Sequence, residues 1–228
     1  MYRPVQGLTS SGGGSQSVES LLKTVGPRMP LWHDNTSFVG MRINSSSGYG
    51  KVYDFRGTTS YVTTTGAKAH VTTLQVVNDD HAYIIDGRFN LGGYTPTGRV
   101  FIGLHTDAGF SLPATGAITD NHVGLLFDSS LTPELSAYNG TGYSESLGYA
   151  VDADVLYYMQ LLRVGSSYKV KLYDENMTLV ASESNILGHP TTDDLYFTIA
   201  TRGNSGTAQC RFVAFGLTLL PDNYSMDA

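Results

Sequence analysis

From about residue 36 onward the chain alternates short apolar runs with clusters of Gly, Asn, Asp, Ser and Pro, and the runs carry the twofold period of strands rather than the period of a helix. Twelve segments read as strands on this basis: 38–43, 51–55, 61–65, 69–77, 82–89, 100–105, 123–127, 155–164, 168–173, 179–182, 195–201 and 211–219. In Lys169-Val170-Lys171-Leu172-Tyr173 the lysines alternate with apolar residues, which predicts a strand covered on one face and wet on the other. The segment 155–164 is apolar on both faces, the mark of a central strand or of one covered by an arm or neighbour. So many strands at this spacing require two packed sheets, and the predicted fold class is all-β, a two-sheet antiparallel sandwich.

Residues 1–35 have a different pattern. An extended start with Pro4 leads into the flexible run Ser10-Ser11-Gly12-Gly13-Gly14-Ser15, after which Val18, Leu21 and Leu22 recur at helical spacing until Gly26-Pro27 stops them. The expected division is therefore an N-terminal arm with one short helix (1–35) and a sandwich domain (36–228). Four apolar side chains on so short a segment cannot form their own core. Val18, Leu21, Leu22 and Trp32, the only tryptophan, are expected to make assembly contacts, either with the sandwich or with another chain.

Composition narrows the partners. Charged residues make up 15% of the chain and the net charge is -6, so no basic stripe is available to displace counterions from nucleic acid. A lone cysteine, Cys210, excludes an intrachain disulfide and reads as a small buried hydrophobe. The first residues show no apolar stretch of the secretory kind, and no run of about 18 apolar residues appears, so the expectation is a protein made in a cytoplasm with no membrane span. On that expectation the five Asn-x-Ser/Thr sequences, at Asn35, Asn44, Asn139, Asn176 and Asn223, are incidental.

Four blocks carry a family resemblance: Gly98-Arg-Val-Phe-Ile-Gly-Leu104; His122-Val-Gly-Leu-Leu-Phe-Asp-Ser-Ser130; Tyr157 to Arg163 with Tyr168 to Asp174; and Tyr196-Phe-Thr-Ile-Ala-Thr-Arg202. Together they resemble the concanavalin A-like, laminin G-like jelly roll of phage-type virion appendage and decoration proteins. The resemblance covers a little over half the chain. It implies a jelly-roll sandwich in a structural protein of a virion, made in the host cytoplasm, that assembles through its arm as a homo-oligomer and with other virion proteins. Host attachment is the related alternative, in which a lectin-like module recognises surface glycans.

Candidate chemistry is sparse. His122-Val-Gly-Leu also resembles legume lectins, where a histidine in this place helps hold a metal, but 100–104 offers none of the carboxylates such a site needs, so no metal or other cofactor is expected. Asp107 and Asp120, flanking the loop 108–119, are the weak candidates for a cation site. Glucanases of the same fold cleave with carboxylates paired on one strand face. The nearest substitute, Asp152 and Asp154, sits at a strand entrance where Asp is an ordinary turn residue, and the chain is accordingly read as no enzyme, with a polysaccharide hydrolase the disfavoured third reading. For sugar binding, Tyr138, Asn139 and Tyr143 supply aromatic faces and an amide in one turn-rich segment.

Overall fold

The computed structural model describes residues 29–30, 41–45, 51–55, 59–65, 68–77, 82–91, 98–106, 112–113, 115–153, 155–185, 195–202, 207–220 and 224. In chain order the strands are β1 (Met29–Pro30), β2 (Met41–Ser45), β3 (Lys51–Phe55), β4 (Thr59–Thr65), β5 (Lys68–Val77), β6 (Tyr83–Asn90), β7 (Arg99–His105) and β8 (His122–Asp128). There follow β9 (Glu134–Tyr138), β10 (Gly142–Ser146), β11 (Tyr157–Val164), β12 (Ser167–Tyr173), β13 (Leu179–Asn185), β14 (Leu195–Arg202) and β15 (Thr207–Leu219). They form two sheets with every pairing antiparallel. One sheet has the order β13-β12-β11-β6-β15-β4-β3, with β1 also paired to β15; the other runs β10-β9-β8-β7-β14-β5-β2. No helix occurs among the described residues.

Alternation fills the space between the sheets. Tyr83, Ile85 and Phe89 of β6 and Tyr157, Met159 and Leu161 of β11 meet Val100, Ile102 and Leu104 of β7 and Val123, Leu125 and Phe127 of β8 in one core cluster. As its two-sided apolar pattern predicts, β11 is central, lying between β12 and β6. Cys210 belongs to the same core, and burial pushes its thiol up, away from the reactive range. Phe215 reaches this core where β15 shifts register between Val213 and Gly216. Its ring occupies the place where Gly87 has no side chain: a Cβ there would stand 2.4 Å from Phe215 Cγ.

The structure adds three strands to those expected. Met29–Pro30 lies within the predicted arm but pairs with β15, while the proposed helix and Val18, Leu21, Leu22 and Trp32 lie outside the described residues. The segment containing Tyr138 to Tyr143, read as turn, is the β9–β10 hairpin. Its Ser, Glu and Gly residues hid it, because an edge strand with an exposed face needs little apolar content. The lysine face of β12 also departs from expectation. Lys171 is nearly buried, opposite Gln160 in register, within a polar layer where the Tyr158 hydroxyl donates to Asp86 and Tyr173 OH donates to Gln160 Oε1 at 3.1 Å. Periodicity identifies which side chains share a face; it carries no information on what covers that face.

Gly87→Ala tests the packing of β6 against β15. Forcing Phe215 off Gly87 should cost about 1–3 kcal/mol, the usual range for overpacking, read as a lower urea midpoint at unchanged slope.

Candidate functional site

Strands β7, β8, β9, β10 and β14 direct every second side chain away from the core, and strand register aligns these into rows across the outer face of the seven-stranded sheet. One row runs Thr198, Gly103, Gly124, Ser136, Ser144. On one side of it lie Tyr196, His105, His122, Tyr138 and Gly142; on the other lie Ala200, Phe101, Leu126, Glu134 and Ser146. Beyond these, Arg99 opposes Asp128.

The glycine pair decides what can sit on this face. A Cβ on Gly103 would stand 2.3 Å from the Val123 carbonyl oxygen and 2.8 Å from Phe101 Cζ, and one on Gly124 would stand 2.5 Å from the Ile102 carbonyl oxygen. With neither present, the Phe101 ring occupies the space above them and meets His122 edge-on at 5.6 Å. Phe101, Leu126 and Ala200 then form a second, smaller core with Leu112 and Ile118, which draws residues 112–113 and 115–120 over the sheet as a strap. Two buried side chains pin the strap: Arg99 Nη1 donates to the Pro113 carbonyl at 2.8 Å, and His122 Nδ1 lies 2.7 Å from the Asp120 carbonyl.

Both pinning groups are ionisable and almost fully buried. Arg99 is 1% exposed and meets its counter-charge in a two-pronged contact, Nη2 to Asp128 Oδ2 at 3.0 Å and Nε 2.9 Å from Oδ1. Such pairing is what makes a buried guanidinium tolerable. For His122, burial disfavours the charged form and moves its pKa down to about 4, only partly offset by the Asp120 contact. The ring is therefore neutral near pH 7. A carbonyl only accepts, so Nδ1 carries the single ring proton, and Nε2 accepts from Ser136 Oγ at 2.9 Å. His105 stacks on the same ring at 6.4 Å.

Between the strap and strands β9 and β10 lies a cleft of about 260 Å³. Ser136 and Ser144 line it together with Glu134, the Arg99–Asp128 pair and His122, while residues 116–118 form the strap side.

The residues singled out from the sequence are distributed differently. Tyr138 is on the outer face beside His122, but Tyr143 lies on the opposite face, where it packs against the main core and donates to the Ser184 carbonyl at 3.1 Å. The hairpin thus separates the two tyrosines that the sequence put side by side. Burial, followed by the Glu183 and Glu145 carboxylates, raises the Tyr143 pKa. Asn139 is at the exposed hairpin tip, its Oδ1 accepting from Thr141 N at 3.4 Å. Asp120 is exposed and contributes its carbonyl to His122, whereas Asp107 lies outside the described residues. Asp152 is an exposed turn residue whose backbone N–H donates to Tyr157 OH, and Asp154 also lies outside the described residues. Among the described residues no three His, Cys, Asp or Glu side chains converge on a metal position. Sequence reasoning missed Arg99, Asp128, Glu134, Ser136 and Ser144. Alternation along His122–Asp128 places Asp128 on the face of His122, but only the strand register brings Glu134 and Ser136 beside them.

No protein-family model and no curated protein matches the chain. Solved structures do. The seed lectin of Lotus tetragonolobus superposes with a TM-score of 0.60 at 12% identity, over 84% of this chain and 98% of the lectin. The exoplasmic/lumenal domain of VIP36, solved with Ca2+ and a Man3GlcNAc glycan bound, gives 0.62 at 11% identity over 84% and 88%. A protein of unknown function from Shewanella oneidensis gives 0.57 at 13% identity over 94% and 99%. The chain therefore has the legume-lectin-like, concanavalin A-like jelly-roll fold.

The buried histidine makes stability depend on pH with a fixed sign. The unfolded chain takes up a proton at His122 below its ordinary pKa of 6.5, whereas the folded chain does so only near 4. Stability should therefore fall as pH drops from 6.5 toward 4, by roughly 3 kcal/mol in all from this group. Urea unfolding of His122→Gln across that window, subtracted from wild type, isolates the effect; the variant should lose less stability on acidification.

Proposed function

We propose that the protein is a carbohydrate-binding module that takes glycan into the cleft between the strap and β9–β10. The carrying observation is the combination of a lectin-like fold with a cleft in which the strands set serine hydroxyls and the Glu134 and Asp128 carboxylates beside the apolar Ile118 and Leu126. Sugars present closely spaced hydroxyls, and fixed carboxylates and serine oxygens bind these in pairs. Tyr138 lies one row away from Ser136 on the same face and supplies the aromatic flank for an apolar sugar face.

Binding without cleavage fits the distribution of charge. Of the two carboxylates lining the cleft, Asp128 is held by Arg99, which leaves Glu134 without a second carboxylate free to share acid and base roles. The fold comparisons favour recognition over a virion structural role: the two named relatives of known type are a lectin and a domain solved with a glycan bound. The residues expected to make assembly contacts, Val18, Leu21, Leu22 and Trp32, lie outside the described set.

A glycan array probed with the intact protein tests the reading, alongside Ser144→Trp and Tyr138→Ala. Ser144 is exposed on an edge strand, so an indole there fills the cleft without disturbing the core. Signals should disappear with Ser144→Trp and weaken with Tyr138→Ala. An array that stays dark with wild type, or equally bright with Ser144→Trp, overturns the assignment.

A further inference from the structure

We infer that the cleft selects amine-bearing sugars over carboxylated ones, because its polar side chains are wired to accept rather than donate. This inference rests on the reading of the cleft as a glycan site and specifies the class of glycan.

The polarity follows from one chain of hydrogen bonds. Asp120 O fixes the His122 proton on Nδ1, so Nε2 must accept, and Ser136 must spend its only proton on Nε2. Ser136 is 6% exposed yet lines the cleft, and its oxygen therefore offers lone pairs alone. Glu134 and Asp128 are acceptors by nature when ionised. The one strong donor on the wall, Arg99, is turned to the Pro113 carbonyl and to Asp128. Of these polar side chains, Ser144 alone can act in either sense.

Charge points the same way. Arg99 cancels Asp128, His122 is neutral near pH 7, and Glu134 leaves the lining with one net negative charge. A carboxylated sugar would meet acceptors and a like charge, an unpaired combination that is strongly penalised in a confined site. A protonated sugar amine brings three donors and the opposite charge.

The experiment is calorimetric titration of the full chain at about pH 6, where a sugar amine is protonated, with a short glucosamine oligomer, its N-acetylated counterpart and sialyllactose. The glucosamine oligomer should bind at least about tenfold more tightly than the acetylated one, as a charge-assisted hydrogen bond provides, and sialyllactose should not bind. Glu134→Gln should abolish that preference while Glu175→Gln, an exposed hairpin position elsewhere, leaves it intact. Equal or better binding of the acetylated or sialylated sugars overturns the inference and leaves the glycan reading standing. Equal loss in both variants shows diffuse attraction to a chain of net charge -6 and overturns it as well. If no sugar of any kind binds, both readings fall together.

Discussion

The outer face of the seven-stranded sheet depends on two missing side chains. Because neither Gly103 nor Gly124 carries a Cβ, Phe101 can lie over the β7–β8 pairing instead of standing up from it. That ring is the floor on which Leu112 and Ile118 settle, so the strap is held by apolar burial before any polar group acts. The strap in turn delivers two backbone carbonyls, from Pro113 and Asp120, to the buried side chains that need them. Packing and polar satisfaction are thus consecutive steps of one construction.

Arg99 and His122 show two solutions to burying an ionisable group. Arg99 keeps its charge and is matched by a carboxylate and a carbonyl. His122 gives up its charge and becomes a relay whose two nitrogens have opposite roles. The first solution locks the end of β7 to the end of β8, and the second links the strap to β9 through an imidazole. Both remove potential donors from the cleft, and the chemistry available to a ligand there is largely what these structural needs leave over.

Much of the sandwich could be read directly. Segments such as 100–105 and 155–164 are apolar enough that their burial and strand character follow from pattern alone, and both emerged as interior strands. The β9–β10 hairpin escaped because Glu134-Leu-Ser-Ala-Tyr138 and Gly142-Tyr-Ser-Glu-Ser146 contain few apolar residues, and turn-rich composition outweighed their alternation. That miss propagated to the site. Read as a loop, Tyr138 and Tyr143 seemed able to converge; as paired strands with Gly142 opposite Tyr138, they must diverge. The Arg99–Asp128 pair joins residues 29 positions apart, and no local rule connects them. Family resemblance identified the jelly roll correctly, yet resemblance in the core strands is mostly resemblance in packing and says little about the outer face where chemistry differs.

The bond from Tyr143 to the Ser184 carbonyl joins the edge strands β10 and β13 of the two sheets on one flank of the sandwich. Both edges carry Ser-Glu-Ser, at 144–146 and 182–184, and charged, polar edges are poor templates for adding a foreign strand. Copies of this protein can therefore be crowded flank to flank without their sheets fusing into a continuous ribbon. That resistance sets how closely copies can pack along this flank before strand addition turns crowding into aggregation.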